Sequence, residues 1–264
     1  MAKKLSRKMR RAAKFNHTQE EKNNLNLSAI LPITENQKNT FKEYSQGKNL
    51  LLYGTAGTGK TFISLYLAFN EILKQTSKYK KVIVVRSVVP TRDMGFLPGN
   101  NKEKAQVYEA PYHSICSEIL GRDDAYTLLK SKNMIEFITS SFVRGITLKD
   151  CIVIVDEFQN MVDEELHSII TRVGNNCKII FCGDYTQNDL RKEKTGFHKF
   201  IKIISSMNSF GVVSFDINDI VRSSLVKEYI IKRESYENNE ISKAISTSTD
   251  KRVVPFVSPG HATG

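Results

Sequence analysis

The sequence predicts an α/β fold, a parallel sheet with helices on both faces. Three observations carry this: short aliphatic runs recur along the chain, they are apolar throughout rather than alternating, and helical patterns separate them. Unbroken apolar strands suit a parallel sheet buried on both sides, and strands alternating with helices imply βαβ crossovers.

In chain order, Leu50-Leu51-Leu52-Tyr53 is the first strand. Phe62 to Leu73 follows as a helix that is apolar almost all round, as a buried helix would be. Val82-Ile83-Val84-Val85 is the next strand, Met134-Ile135-Glu136-Phe137 a weaker one, then Ile152-Val153-Ile154-Val155 and Ile179-Ile180-Phe181-Cys182. Between the last two, Glu164 to Val173 reads as a helix, with Gly174 placed as its C-terminal cap. Val212-Val213-Ser214-Phe215 is a further strand and Leu225 to Arg233 a late helix. Residues 27–246 are expected to form one domain, 1–26 a basic flexible tail, and 247–264, with Pro255, Pro259 and Gly260, a loose tail. No internal repeat is evident.

At about 150 residues per domain, the 264 residues allow one large domain or two small ones. Hydrophobic residues at 40% and charged residues at 25% exclude a wholly disordered or collagen-like chain. No apolar run is long enough to span a membrane, and no apolar segment follows the basic start as in a secretory signal. A cytoplasmic protein is expected, in the host cytoplasm if the gene is viral. The net charge is +11. Its excess is concentrated in residues 1–24, where Lys3, Lys4, Arg7, Lys8, Arg10, Arg11, Lys14 and Lys22 face only Glu20 and Glu21. Such a block reads as a solvated tail that touches polyanions, with nucleic acid the leading partner; the alternative is a tail that only confers solubility.

Cys116, Cys151, Cys177 and Cys182 form no C-x-x-C pair and read as small buried hydrophobes in a reducing compartment. His17, His113, His167, His198 and His261 are scattered without metal-ligand spacing, so no metal site of the protein alone is expected.

The strongest motif is Gly54-Thr55-Ala56-Gly57-Thr58-Gly59-Lys60-Thr61, which fits the phosphate-binding loop G-x-x-x-x-G-K-[ST] between a strand and a helix. From average residue frequencies a chance match in such a chain is on the order of one in a hundred. Glycine lets the backbone curl so that its N–H groups converge on phosphate oxygens. The helix starting at Lys60 aims its positive end at the same anion. Lys60 reaches the β- and γ-phosphates, and the Thr61 hydroxyl ligates Mg²⁺.

The acidic half of the site is expected at the end of the Cys151–Val155 strand. There Asp156 is expected to hold Mg²⁺ through water and Glu157 to polarise the attacking water; the alternative is that the two carboxylates merely open a loop. A third strand ends in Gly183-Asp184-Tyr185-Thr186-Gln187, from which Gln187 can sense the γ-phosphate, although a Gly-Asp turn after a strand is also common by itself. Gln37, about 17 residues before the loop, carries an amide able to read adenine through paired hydrogen bonds.

Taken in order, Gln37, the GTAGTGKT loop, Asp156-Glu157-Phe158-Gln159-Asn160 and Gly183-Asp184-Tyr185-Thr186-Gln187 resemble superfamily 1 helicase ATPase cores. More narrowly, the chain resembles the PhoH-like ATPases, including the small versions common in phage genomes. Val85-Arg86 with Gly95-Phe96-Leu97-Pro98-Gly99 resembles that family's loop after the second strand. Arg144-Gly145-Ile146-Thr147-Leu148 resembles its R-G-x-T-L element, and Asp219-Ile220-Val221-Arg222 its D-V-V-R element. The resemblance covers Thr34 to Tyr229. It implies a single RecA-like P-loop NTPase domain, ATP and Mg²⁺ as cofactors, and Arg222 as the finger on the transition-state phosphate. It also implies single-stranded RNA or DNA as partner, with Arg86 and the Gly95–Gly99 loop facing it, and a homo-oligomeric ring, a hexamer.

Two departures stand out. Phe158 replaces the Ala usual in D-E-A-Q-N, and Arg191-Lys192-Glu193-Lys194 makes the loop after Gly183 atypical. About 35 residues follow Tyr229, too few for the second core of a helicase, so Arg222 is expected to act within its own subunit or in trans. The segment before Thr34 is too short for the PIN nuclease domain that some family members carry.

Two other functions compete. A nucleotide-gated binding module with little turnover would use the same loop. A thymidine-type kinase also combines a phosphate loop with D-E-x-Q, but relies on a zinc-stapled lid of C-x-x-C pairs, and the Gly183–Gln187 element is foreign to it.

Overall fold

The computed structural model describes residues 25–87, 101–184 and 196–249. The basic stretch 1–24, the Gly95–Gly99 loop and Gln187 lie outside the described residues. By backbone proximity the chain forms two compact units, Met1–Ile220 and Val221–Gly264.

The first unit runs α1 (Glu35–Ser45), β1 (Asn49–Gly54), α2 (Lys60–Ile72), β2 (Lys81–Arg86), α3 (Asn101–Leu120), α4 (Ala125–Ser131), β3 (Ile135–Thr139), β4 (Cys151–Asp156), α5 (Asp163–Ile170), β5 (Cys177–Gly183), α6 (Phe197–Ser205) and β6 (Phe210–Phe215). The six strands form one sheet in the order β3-β2-β4-β5-β1-β6, and every pairing is parallel. Leu50 pairs with Ile180, Val155 with Phe181, and Arg86 with Asp156. This is the expected α/β fold, with β5 lying between the loop-bearing β1 and the acid-bearing β4.

Alternate residues of each strand point to opposite faces. Leu50, Leu52, Val82, Val84, Ile152 and Ile154 pack with Phe69 and Ile72 of α2, Tyr112 and Ile119 of α3, and Leu129 of α4. Leu51, Ile83, Val85, Val153, Val155, Ile179 and Phe181 pack with Leu166 and Ile169 of α5 and with Phe197, Phe200 and Ile204 of α6. The unbroken apolar runs thus reflect burial on both faces. Leu25 also packs into the first of these clusters, and Ser28 N donates to Ile119 O at 2.9 Å.

Two helix ends differ most from the sequence reading. The helix expected over Glu164–Val173 ends at Ile170, and Thr171, not Gly174, follows as its cap. Gly174 serves a close approach instead. Its N–H donates to Leu148 O at 2.8 Å, and a Cβ there would stand 2.8 Å from the same oxygen. In the second unit, α7 (Ser224–Thr249) continues well past Arg233. The residues after Arg233 are mostly polar, but no Gly or Pro interrupts them up to Thr249, so nothing stops the helix. Among the described residues, no helix is long and apolar enough to cross a membrane.

Candidate functional site

The C-terminal ends of β1, β4 and β5 meet, and the site is built there. β1 ends at Gly54, whose φ of +126° admits glycine alone. A Cβ there would fall 1.9 Å from Phe215 O, so the loop can start only because nothing projects toward β6. Thr55 N then donates to the same Phe215 O at 3.1 Å. Gly57 and Gly59 are left-handed, and Gly59 precedes α2 with no side-chain cap. The first N–H groups of α2 are thereby left for an anion.

Lys60 is folded back over this curl. Its Nζ donates to Gly54 O at 3.0 Å, Thr55 O at 2.7 Å and Thr58 Oγ1 at 3.2 Å. Burial pulls the ammonium below the ordinary lysine range, and the carboxylates of Asp184, Glu157 and Asp156 restore part of that shift.

The acid pair closes the other side. Thr61 Oγ1 donates to Asp156 Oδ1 at 2.7 Å, and Tyr112 OH donates to Asp156 Oδ2 at 2.7 Å. Hydroxyl plus carboxylate is a hard oxygen pair of the kind a divalent cation takes together with phosphate oxygens. Among the described residues, no group of three or more His, Cys, Asp or Glu could hold a metal by itself.

Glu157 adopts a left-handed backbone, φ 53° and ψ 41°, a conformation costly for a non-glycine residue and concentrated at functional sites. Burial first and the Asp156 charge second raise its carboxyl above the usual range, opposed by the Gln159 hydrogen bond and by Arg86. Gln159 is fully buried and works in two directions. Its Nε2 donates to Glu157 Oε2 at 2.5 Å, while its Oε1 accepts from Asp184 N at 3.0 Å. One amide therefore ties the end of β5 to the carboxylate after β4.

Arg86 was expected to face nucleic acid. It is half-buried at the end of β2 beside Tyr112, Asp156 and Glu157, whose combined influence outweighs its burial and raises its pKa. Gln37 is buried with both ends of its amide engaged. Nε2 donates to Thr58 O at 3.2 Å, and Oε1 accepts from Ile33 N at 2.8 Å. Asp219 is held by Asn36 Nδ2 at 2.7 Å and by Asp216 N at 3.0 Å, which anchors the start of the D-I-V-R element to the first turn of α1.

Of the residues read from the sequence, Gly54 to Thr61, Asp156 and Glu157 converge, and Gln37 touches the loop from behind. Gln187 lies outside the described residues, and Arg222 is exposed in the second unit. Sequence reasoning did not assign Gln159 or Tyr112 to the site. The D-E-F-Q-N run already contained Gln159; for Tyr112 no motif gave a signal, since α3 reaches Asp156 only through the fold.

A family model described as PhoH-like protein matches residues 29–233. The PhoH-like protein of Bacillus subtilis is 33% identical over 186 residues, covering 70% of this chain and 56% of the relative. Protein PhoH of Escherichia coli is 32% identical over 201 residues, covering 75% and 56%. The chain thus spans a little over half the length of these relatives. Among solved structures, the large terminase of a thermophilic bacteriophage in complex with ADP aligns at TM-score 0.46 and 11% identity, over 75% of this chain and 49% of that one. The UvsW helicase of bacteriophage T4 aligns at TM-score 0.39 and 19% identity, over 81% and 68%.

Proposed function

Since the chain belongs to the PhoH-like protein family, we propose that it binds ATP with Mg²⁺ at the Gly54–Thr61 loop, hydrolyses it, and couples turnover to single-stranded RNA or DNA. The observation that carries this reading is the bond between Thr61 and Asp156 at 2.7 Å, which joins phosphate loop and acid strand across 95 residues.

The loop N–H groups and Lys60 bind the phosphates, and Thr61 and Asp156 hold the cation. A Mg²⁺ ion held by these two residues would supply neutralisation of the charge on the phosphate oxygens. Glu157 orients and polarises the attacking water. Gln37 supports the loop through Thr58 O and is the residue for reading adenine, Gln187 senses the γ-phosphate, and Arg222 supplies the finger, in its own subunit or across a homo-oligomeric ring such as a hexamer. The net charge of +11 and the basic residues of 1–24 favour capture of a nucleic-acid backbone, with affinity falling steeply in salt.

The test is steady-state ATP hydrolysis with Mg²⁺, with and without single-stranded RNA, beside Glu157→Gln. Wild-type turnover that rises with RNA, against a loss of about 100-fold or more in the variant, supports the reading. Turnover indifferent to RNA and DNA overturns the coupling. No turnover above the variant overturns hydrolysis and leaves a nucleotide-gated binder.

A further inference from the structure

Asp156 has two carboxylate oxygens, and each is held by a hydroxyl from a different helix. Oδ1 accepts from Thr61 at the start of α2, and Oδ2 accepts from Tyr112 in the second half of α3, both at 2.7 Å. Tyr112 is 1% exposed and Asp156 4%, so water does not compete for this second bond. The ring of Tyr112 is fixed by packing against Phe137 of β3, centroids 5.7 Å apart. The Arg86 guanidinium lies near enough for its charge to act on the same phenol. One turn earlier on α3, the ring of Tyr108 lies 5.8 Å from the Arg86 guanidinium. Residues four apart share one face of a helix, so α3 presents Tyr108 and Tyr112 together to the ends of β2 and β4.

We infer that Tyr112 is the positioning residue for the cation-binding carboxylate: its hydroxyl holds Asp156 Oδ2 so that Oδ1 stays aimed at Thr61 and the phosphate loop. The inference rests on the ATP and Mg²⁺ reading above. A carboxylate anchored at one oxygen only can rotate about its terminal torsion, which is broad and roughly two-fold. With Tyr112 in place, both oxygens have fixed directions before nucleotide arrives. Partners of this outer kind typically change metal affinity by about 10–100-fold when removed. The helix that carries Tyr112 begins at Asn101, shortly after the Gly95–Gly99 element, so α3 joins that loop in sequence to the cation carboxylate.

Tyr112→Phe removes the hydroxyl and keeps the ring. The control is Tyr126→Phe, which removes another buried phenol donor, the one bonded to Glu109 Oε1 at 2.5 Å. Binding of a fluorescent ATP analogue is measured without Mg²⁺ and as a Mg²⁺ titration, together with hydrolysis and thermal melting. For Tyr112→Phe the Mg²⁺ concentration at half-effect should rise by about tenfold in both binding and hydrolysis. Metal-free binding should stay within about twofold of wild type, and turnover at saturating Mg²⁺ should recover most of the wild-type rate. Tyr126→Phe should leave the Mg²⁺ titration where it is. If wild type is Mg²⁺-dependent and Tyr112→Phe titrates identically, or if both variants shift alike, the positioning role is overturned and the ATPase reading survives. If wild type shows no Mg²⁺ dependence in binding or turnover, the ATPase reading falls and this inference with it.

Discussion

Phe158 lies so close over Gly183 that a methyl group added to the glycine would stand 2.5 Å from the ring's Cε1 and 2.6 Å from Cδ1. The ring is fully buried and packs against Phe181, Phe197 and Phe200. Phe158 occupies the place of the usual Ala in the resembling D-E-A-Q-N motif, and here it fills the joint between β4, β5 and α6. Gly183→Ala is expected to destabilise by about 1–3 kcal/mol through overpacking. In a Phe158→Ala background the same change should cost measurably less, since the ring it strikes is gone. Urea unfolding of the two single variants and the double variant gives the coupling; additive effects would mean that the ring yields.

Gln159 holds Glu157 with one end of its amide and Asp184 N with the other. Gln159→Leu should cost about 1–3 kcal/mol for a buried backbone donor left without its partner. It should also change the pH profile. In the proposed role Glu157 acts as the ionised carboxylate, and because burial raises its pKa, hydrolysis should be lost as pH falls, with a midpoint above the ordinary glutamate range. The Gln159 bond opposes that shift, so its removal moves the acid limb further up. An unchanged limb in kcat against pH would separate Gln159 from Glu157 ionisation.

Glu157→Gln is expected to melt higher than wild type while abolishing turnover. A carboxyl whose pKa is higher folded than unfolded contributes stability below its unfolded pKa and loses it as pH rises through the folded one. At neutral pH the charged Glu157 therefore weakens the fold, and the neutral amide relieves it, a trade common at active sites. Each kcal/mol corresponds to about 2–4 °C in a chain of this size. The gain in Tm should be largest near neutral pH and shrink toward pH 4.

The opposite sign applies at Asp219. Although burial acts against it, bonds from Asn36 and Thr34 and from backbone N–H groups hold its carboxyl below the usual range. Its stabilising contribution is present above the unfolded pKa and is lost as pH falls through the folded one. Asn36→Ala should lower stability at neutral pH and flatten its decline on the acid side, as chemical denaturation at pH 7 and pH 4 will show.

Much of this was legible in the sequence because it is local. A loop with glycines at 54, 57 and 59 and Lys60-Thr61 behind it defines its own conformation. Asp156 and Glu157 were legible as the end of a fully apolar run. The helices were harder. α3 carries Pro111 in its interior, normally a break signal, and its apolar residues are poorly segregated to one face. Gly174 looked like a helix cap because its need for space comes from Leu148, which contacts it only in three dimensions. Tyr112 illustrates the same limit, since it lies on a helix and its partner is 44 residues away at the end of β4.

The strand order also bears on how the molecule is made. β1 carries the phosphate loop and is synthesised first of the six strands, but its two neighbours are β5 and β6. Asn49 Oδ1, for example, meets Ile179 N across 130 residues. A nascent chain that has emerged only as far as β4 therefore holds Leu50-Leu51-Leu52 with no strand on either side. Such late, long-range pairing is slow to form and exposes apolar strand to aggregation. The nucleotide loop is thus among the first parts of the site to leave the ribosome and among the last to take shape. Truncations that stop short of Phe215 should fail to bind nucleotide even though every residue of the loop is present.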